Sequence, residues 1–79
     1  MNALESVLRL AFDNSAPYIT NLDAVRLLIQ QAAAHAVSVD DAIAYIENRH
    51  PDAEITLKTD IRILVAAIRH AVRQRKSSR

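Results

Sequence analysis

Three histidines and two adjacent carboxylates are the residues in this sequence whose types are suited to metal binding or acid–base catalysis. His35, His50 and His70 do not have the spacing of helical metal ligands, no His-Glu-x-x-His motif occurs, and no cysteine is present to complete a zinc site. Asp40 and Asp41 are neighbours, and adjacent helix positions point about 100° apart. Their place at the start of a predicted helix explains them better, because carboxylates there complement the helix dipole. We therefore expect no metal, no cofactor and no catalytic residue, and predict that the chain is not an enzyme.

Basic residues near the C-terminus are a second candidate for function. Residues 1–59 carry four basic and eight acidic residues, a net charge of −4, whereas residues 60–79 carry six basic residues and one acidic residue, a net charge of +5. Cations along one helix face can each neutralise a phosphate. A solvated basic helix end is the competing interpretation, since such residues also complement the helix dipole. The candidate contacts for nucleic acid or another anionic partner are Arg62, Arg69, Arg73, Arg75 and Lys76.

Apolar residues in the same region define the element that positions these cations. They recur at steps of three and four, which predicts a long helix over residues 57–76. The residues of this apolar face are Leu57, Ile61, Leu64, Val65, Ile68 and Val72. Ile63 lies outside this face, about 100° from Leu64, so we predict that something further covers it. One cover is the first helix. The other, which we favour, is a second copy, giving a homodimer with an interface at Leu57, Ile61, Ile63, Leu64, Ala67 and Ile68.

Three shorter helices are predicted ahead of this one. Residues 2–12 form the first, and residues 13–17 break it because Pro17 disfavours helical geometry in the residue before it. Thr20 is the expected N-cap of the second helix, with Asp23 reaching back to the exposed amides. This helix extends to about residue 36, and its alanine-rich half allows close approach, so we expect the last helix to lie there.

The third helix is predicted from its cap and its stop. Ser38 is the expected N-cap, and the buried face consists of Val39, Ala42, Ile43 and Ile46, with Tyr45 at its edge. Pro51 is expected to end the helix. After a polar coil, Thr56 is the expected cap of the last helix. The fold class is therefore all-α, a small bundle of about four helices in one domain over residues 1–76, followed by a disordered basic tail at 77–79.

Composition excludes several function classes. Glycine is absent, so neither a P-loop nor a dinucleotide-binding fingerprint can form. We see no signal peptide, and the longest uncharged segment, residues 27–39, is too short and polar to span a bilayer. The chain has no cysteine, so a reducing compartment would not remove any disulfide from it. We expect the chain to be cytoplasmic, without membrane contact. A chain of 79 residues buries only about 60–65% of its unfolded surface, so a partner would add needed stability.

The order of helices and turns along the chain resembles that of a known family. An apolar helix, the turn and cap at 38–41, a helix carrying Ile43 and Ile46, and the opening of the last helix at 57–61 are similar to the small enterobacterial biofilm-development proteins of the YmgB/AriR family, over about residues 21–72. The resemblance implies a dimeric all-α protein that acts as a connector in regulatory signalling and influences DNA or protein partners. The family pattern does not include Pro17, Pro51 or the basic end from residue 69 to residue 79. No site residue is carried over from it.

These observations lead to one preferred function and two alternatives. We predict a small regulatory adaptor that works by protein–protein interaction in bacterial signalling, or in biofilm or stress regulation. A nucleic-acid-binding transcriptional regulator that uses the basic C-terminal helix is the first alternative. A small inhibitor protein encoded by a phage is the second.

Overall fold

The chain folds into four α-helices joined by short connections. The structure, a computed structural model, describes residues 3–49 and 54–77. The helices are α1 (Ala3–Ser15), α2 (Leu22–His35), α3 (Val39–Arg49) and α4 (Ile55–Ser77), and a short 3-10 helix (Ala16–Tyr18) follows α1. No strand occurs in either described range. The all-α fold class is confirmed, and α4 is still helical at Ser77, where a tail was predicted; residues 78–79 lie outside the described part.

The helices form a ring. Each helix contacts its neighbours along the chain, and α4 closes the ring by packing on α1, which is the most extensive contact. Leu4 and Val7 of α1 share a basin with Val72, near the end of α4, whereas Asp60, near the start of α4, contacts the segment that follows α1. Helices α1 and α4 are therefore antiparallel. The body measures 39 × 25 × 16 Å.

The prediction that α4 packs on the alanine-rich half of α2 is wrong. Helix α2 packs chiefly on α1 and α3, not on α4. Ala32 is fully buried and Ala33 is half-buried, so small residues do allow close packing, but the neighbours are the short helices. In a ring of four helices α2 and α4 lie diagonally, which keeps their surfaces apart.

Aliphatic side chains from all four helices meet in one core. Leu8, Leu28, Ile46 and Leu64, one from each helix, are each at most 1% exposed. Burial of a side chain of this size contributes about 1.5–3 kcal/mol. The predicted apolar face of α4 is confirmed: four of its six members are buried, and Leu57 and Val72 are half-buried against the core.

Helix α1 is longer than predicted. It continues through residues 13–15, which were expected to form a connector, and only then tightens into the 3-10 helix that contains Pro17. The hydroxyl of Ser15 donates to the carbonyl of Ala11, with 2.8 Å between the oxygens. Because this bond satisfies the serine inside the helix, the residue does not compete with the helical backbone.

The prediction that Thr20 is the N-cap of α2 is wrong, and the backbone amides at the start of α2 are satisfied by a residue distant in sequence. Asn21, not Thr20, is at the N-cap position, and its side chain makes no capping bond. The amides of both residues donate instead to the carboxylate of Asp60 on α4. Asp23, which was expected to reach back, pairs with Arg26 at 3.8 Å. A tertiary contact has taken the place of the local cap.

The predicted start of α3 is confirmed. The amide of Asp41 donates to the hydroxyl of Ser38 at 3.1 Å, and the Asp41 carboxylate accepts from the amide of Val37 at 3.3 Å. This reciprocal pair is a variant of the capping box. Pro51, the expected stop, lies outside the described residues. Thr56 does not cap α4, because the helix already begins at the preceding residue.

Candidate interaction surface

Helix α4 carries cations along one flank, beside its core face. Arg62, Arg69 and Arg73 are exposed, as is Lys58, and at 100° per residue the four lie within an arc of about 60°. We call these four residues the basic row. The structure thus brings three of the five predicted anion-contact residues onto one face. The side chains of Arg75 and Lys76, the other two, lie outside the described set.

An open groove of about 380 Å³ runs between α3 and α4, beside the basic row. Ile61, Val65 and Ala66 form its apolar floor, and cations of α4 stand along one rim. Glu47 of α3 stands on the opposite rim. We call it the α3–α4 groove.

Glu47 belongs to a row of acidic residues on α3. Asp40 precedes it by seven residues, or about 20° short of two full turns, so both carboxylates lie on one face of the helix. Both side chains are exposed, and Ala44, also exposed, lies between them. We call Asp40 and Glu47 the acidic row. The matching pair on α4, Arg62 and Arg69, is also seven residues apart.

The acidic row and the basic row run in opposite chain directions. Val39 at the start of α3 shares an apolar basin with Val72, near the end of α4. Asp40 is therefore at the Arg69 end of the groove, and Glu47 is at the Arg62 end. In the part of the chain that the structure describes, neither carboxylate forms an ion pair with either arginine. These two carboxylates and two arginines are thus available to charges from outside the chain.

The predicted dimer-interface residues occupy two environments within a single chain. Leu64 and Ile68 have no exposed surface, and Ile61 is buried on the groove floor. Leu57, Ile63 and Ala67 are half-buried and pack against the core. Ile63 and Ala67 lie on the flank of α4 away from the α3–α4 groove, where α1 is the neighbouring helix. A homodimer through these six residues stays a prediction.

Two further surfaces lie elsewhere on the body. A groove of about 560 Å³ between α1 and α2 is lined by Phe12 and Ile29, with the Arg26 guanidinium 5.7 Å from the centre of the Phe12 ring. The rim of this groove alternates in charge sign. An apolar basin of about 340 Å³ lies where α1 begins, and Val37 on its edge is largely exposed.

Two of the three histidines considered for chemistry lie on different helices, α2 and α4. His35 stacks on Tyr45, with the ring centres 5.6 Å apart, and His70 is exposed on α4. His50 lies outside the described residues. Over residues 3–49 and 54–77, no group of three potential metal-ligating side chains comes together.

The sequence analysis did not predict the positions of three residues that line the groove or join the helices. Lys58 precedes Arg62 by four residues, so helical spacing was a sufficient signal for including it in the basic row. Glu47 gave no such signal, because its place on the groove depends on how α3 packs. Asp60 was counted only in the net charge of residues 60–79, although it is buried at 1% exposure.

With the geometry established, comparison with known proteins gives no relative: no family model, curated protein or solved structure matches the chain. The resemblance to the YmgB/AriR family stays a prediction. None of the described helices combines the length and apolar character needed to cross a bilayer.

Proposed function

We propose that the chain is a small non-enzymatic adaptor that acts by binding another protein through the face formed by α3 and α4. The observation that carries this proposal is that Glu47 of the acidic row and cations of the basic row stand on opposite rims of one apolar-floored groove. A surface with both charge signs around an apolar strip suits a protein partner, because complementary charges give specificity and orientation. A role in bacterial regulatory signalling rests on the family resemblance alone.

The basic row also favours the alternative, nucleic-acid binding. Phosphate neutralisation needs several cations on one surface, and Lys58, Arg62 and Arg69 provide three along about 16 Å of helix. The acidic row on the opposite rim opposes it. A phosphate chain lying in the groove would pass close to Glu47 on its rim. Asp40 lies further along the same face of α3, and both carboxylates would repel the phosphates. We therefore rank protein binding above nucleic-acid binding.

Affinity capture from a bacterial lysate tests the proposal. Three baits are compared, each with and without nuclease: the natural chain, Arg62→Glu/Arg69→Glu, and the control Arg9→Glu/Arg49→Glu. The control makes the same charge change at exposed positions outside the groove. We expect a protein that survives nuclease treatment, is lost with the first variant and is retained by the control.

Two results would contradict the proposal. Capture that disappears with nuclease would transfer the function to nucleic acid. Capture that is equal for all three baits would show that the α3–α4 face takes no part in binding.

A further inference from the structure

The geometry points to a second copy of this chain as an occupant of the α3–α4 face, paired across a two-fold axis parallel to the helices. This inference rests on the proposed function, because it names a partner for the same face. It differs from the predicted interface around Ile63, which lies on the opposite flank of α4.

The symmetry argument begins with the direction of the helices. When a second copy is turned about an axis parallel to α3 and α4, its α3 lies over α4 of the first copy, and its α4 lies over α3. Each residue keeps its level along the axis under this rotation. Glu47 then faces Arg62 of the second copy, and Asp40 faces Arg69 of the second copy.

The spacing of the charges is the same in both rows. Asp40 to Glu47 and Arg62 to Arg69 are each seven residues, a rise of about 10.5 Å. Because the operation exchanges the two rows, each contact occurs twice, and the interface contains four opposite-sign pairs.

Small residues at the centre of both rows allow the helices to meet. Ala44 lies between the two carboxylates of α3, and Ala66 lies between the two arginines of α4; both are exposed. Facing alanines permit interaxial distances at the short end of about 8–10 Å. At that separation the charged side chains on either side reach each other across the interface.

The charge pattern also selects a second copy over a partner of a single charge sign. An acidic helix seated in the groove would satisfy Arg62 and Arg69 but would stand against Asp40 and Glu47. A second copy presents a basic row to the acidic row and an acidic row to the basic row. An outside protein with the same two rows would compete with the second copy for this face.

The test is the mass of the purified chain in solution, measured by sedimentation over a range of concentrations at low salt. We expect a monomer–dimer equilibrium that weakens as salt rises, because the screening length falls from about 10 Å at 0.1 M salt to about 3 Å at 1 M. The control Arg9→Glu/Arg49→Glu should dimerise like the natural chain. Circular dichroism and thermal unfolding confirm that each variant is folded.

Two variants make the test specific. In Asp40→Lys/Glu47→Lys the four facing positions 40, 47, 62 and 69 are all basic, and in Arg62→Glu/Arg69→Glu the same four positions are all acidic. Each alone should dimerise at least about a hundredfold more weakly, because like charges meet across the axis. Mixed in equal amounts, the two variants should form a heterodimer, since every facing pair is again of opposite sign.

Each contrary result overturns the inference. A natural chain that is monomeric at every concentration excludes self-pairing, while the proposed function still stands if lysate capture depends on the basic row. A dimer that persists in both variants places the interface elsewhere. Loss of the dimer in both variants without recovery in the mixture rules out the two-fold register.

Discussion

The carboxylate of Asp60 on α4 holds both N–H groups of Asn21, a residue 39 positions earlier in the chain. Its Oδ2 atom accepts from the Asn21 backbone amide at 2.8 Å and from the Asn21 side chain at 2.9 Å. Its Oδ1 atom accepts from the amide of Thr20 at 2.9 Å. One side chain thus joins the entry to α2 to the start of α4.

Replacing Asp60 with alanine should destabilise the chain. Three donors lose their acceptor, and an unpaired donor that is partly buried costs about 1–3 kcal/mol. Chemical denaturation followed by circular dichroism measures the free energy of unfolding. Asp23→Ala serves as the control, because its carboxylate is fully exposed, and it should change stability by less than about 0.5 kcal/mol. Equal losses for the two variants would contradict a special role for Asp60.

The same contact should make stability depend on pH below neutrality. Burial of the Asp60 carboxyl acts to raise its pKa, but the hydrogen bonds from Thr20 and Asn21 outweigh burial and hold the pKa below its usual value. A lowered pKa in the folded state contributes stability that is complete above the unfolded value of about 3.9 and is lost as pH falls through the folded pKa. The stability difference between the natural chain and Asp60→Asn should therefore be constant from about pH 5 to 8 and shrink below about pH 4. A difference that grows on acidification would contradict this assignment.

Elements set by local pattern were predictable from the sequence. Apolar spacing identified α4, and the Ser38 cap of α3 was found because a serine directly before a turn that carries two carboxylates is a local signal of a helix start. The cap of α2 was missed because its acceptor, Asp60, comes from a distant helix. Glu47 was missed for the same reason: only the packing of α3 on α4 brings it to the groove. Long-range polar contacts leave no periodic signature in one sequence.

The Ser38 cap should be separable from the long-range contact of Asp60. Ser38→Ala removes the acceptor for the Asp41 amide, and loss of such a cap costs about 0.5–2 kcal/mol. Ser38→Asp keeps an acceptor at this position and should restore most of the loss. Unfolding free energies of the two variants check this prediction. A loss in Ser38→Asp as large as in Ser38→Ala would show that the hydroxyl bond is not the source of the stabilisation.

Truncation of one leucine and one isoleucine of α4 tests whether its apolar surface is buried within one chain or against a second copy. Leu64 is fully buried within one chain, so Leu64→Ala should cost about 2–5 kcal/mol. Ile63 is only half-buried, and Ile63→Ala should cost clearly less if α1 is its cover. Measuring both losses over a range of protein concentrations separates the two explanations for Ile63. A loss at Ile63 that grows with concentration would favour a second copy at this flank, as the sequence predicted, over the α3–α4 face.

Ala66 gives the most direct separation between folding and binding, because it is exposed in one chain and central to the α3–α4 face. Ala66→Gln adds a long polar side chain but retains a good helix former, so the free energy of unfolding at low protein concentration should change by less than about 0.5 kcal/mol. The added volume would hold the facing helices apart, so self-association at low salt should weaken. Ala34→Gln, at an exposed alanine of α2, is the matched control and should leave association unchanged. If both variants associate like the natural chain, the close approach of Ala66 to Ala44 of a second copy is wrong, and the charged rows would have to meet at a greater distance.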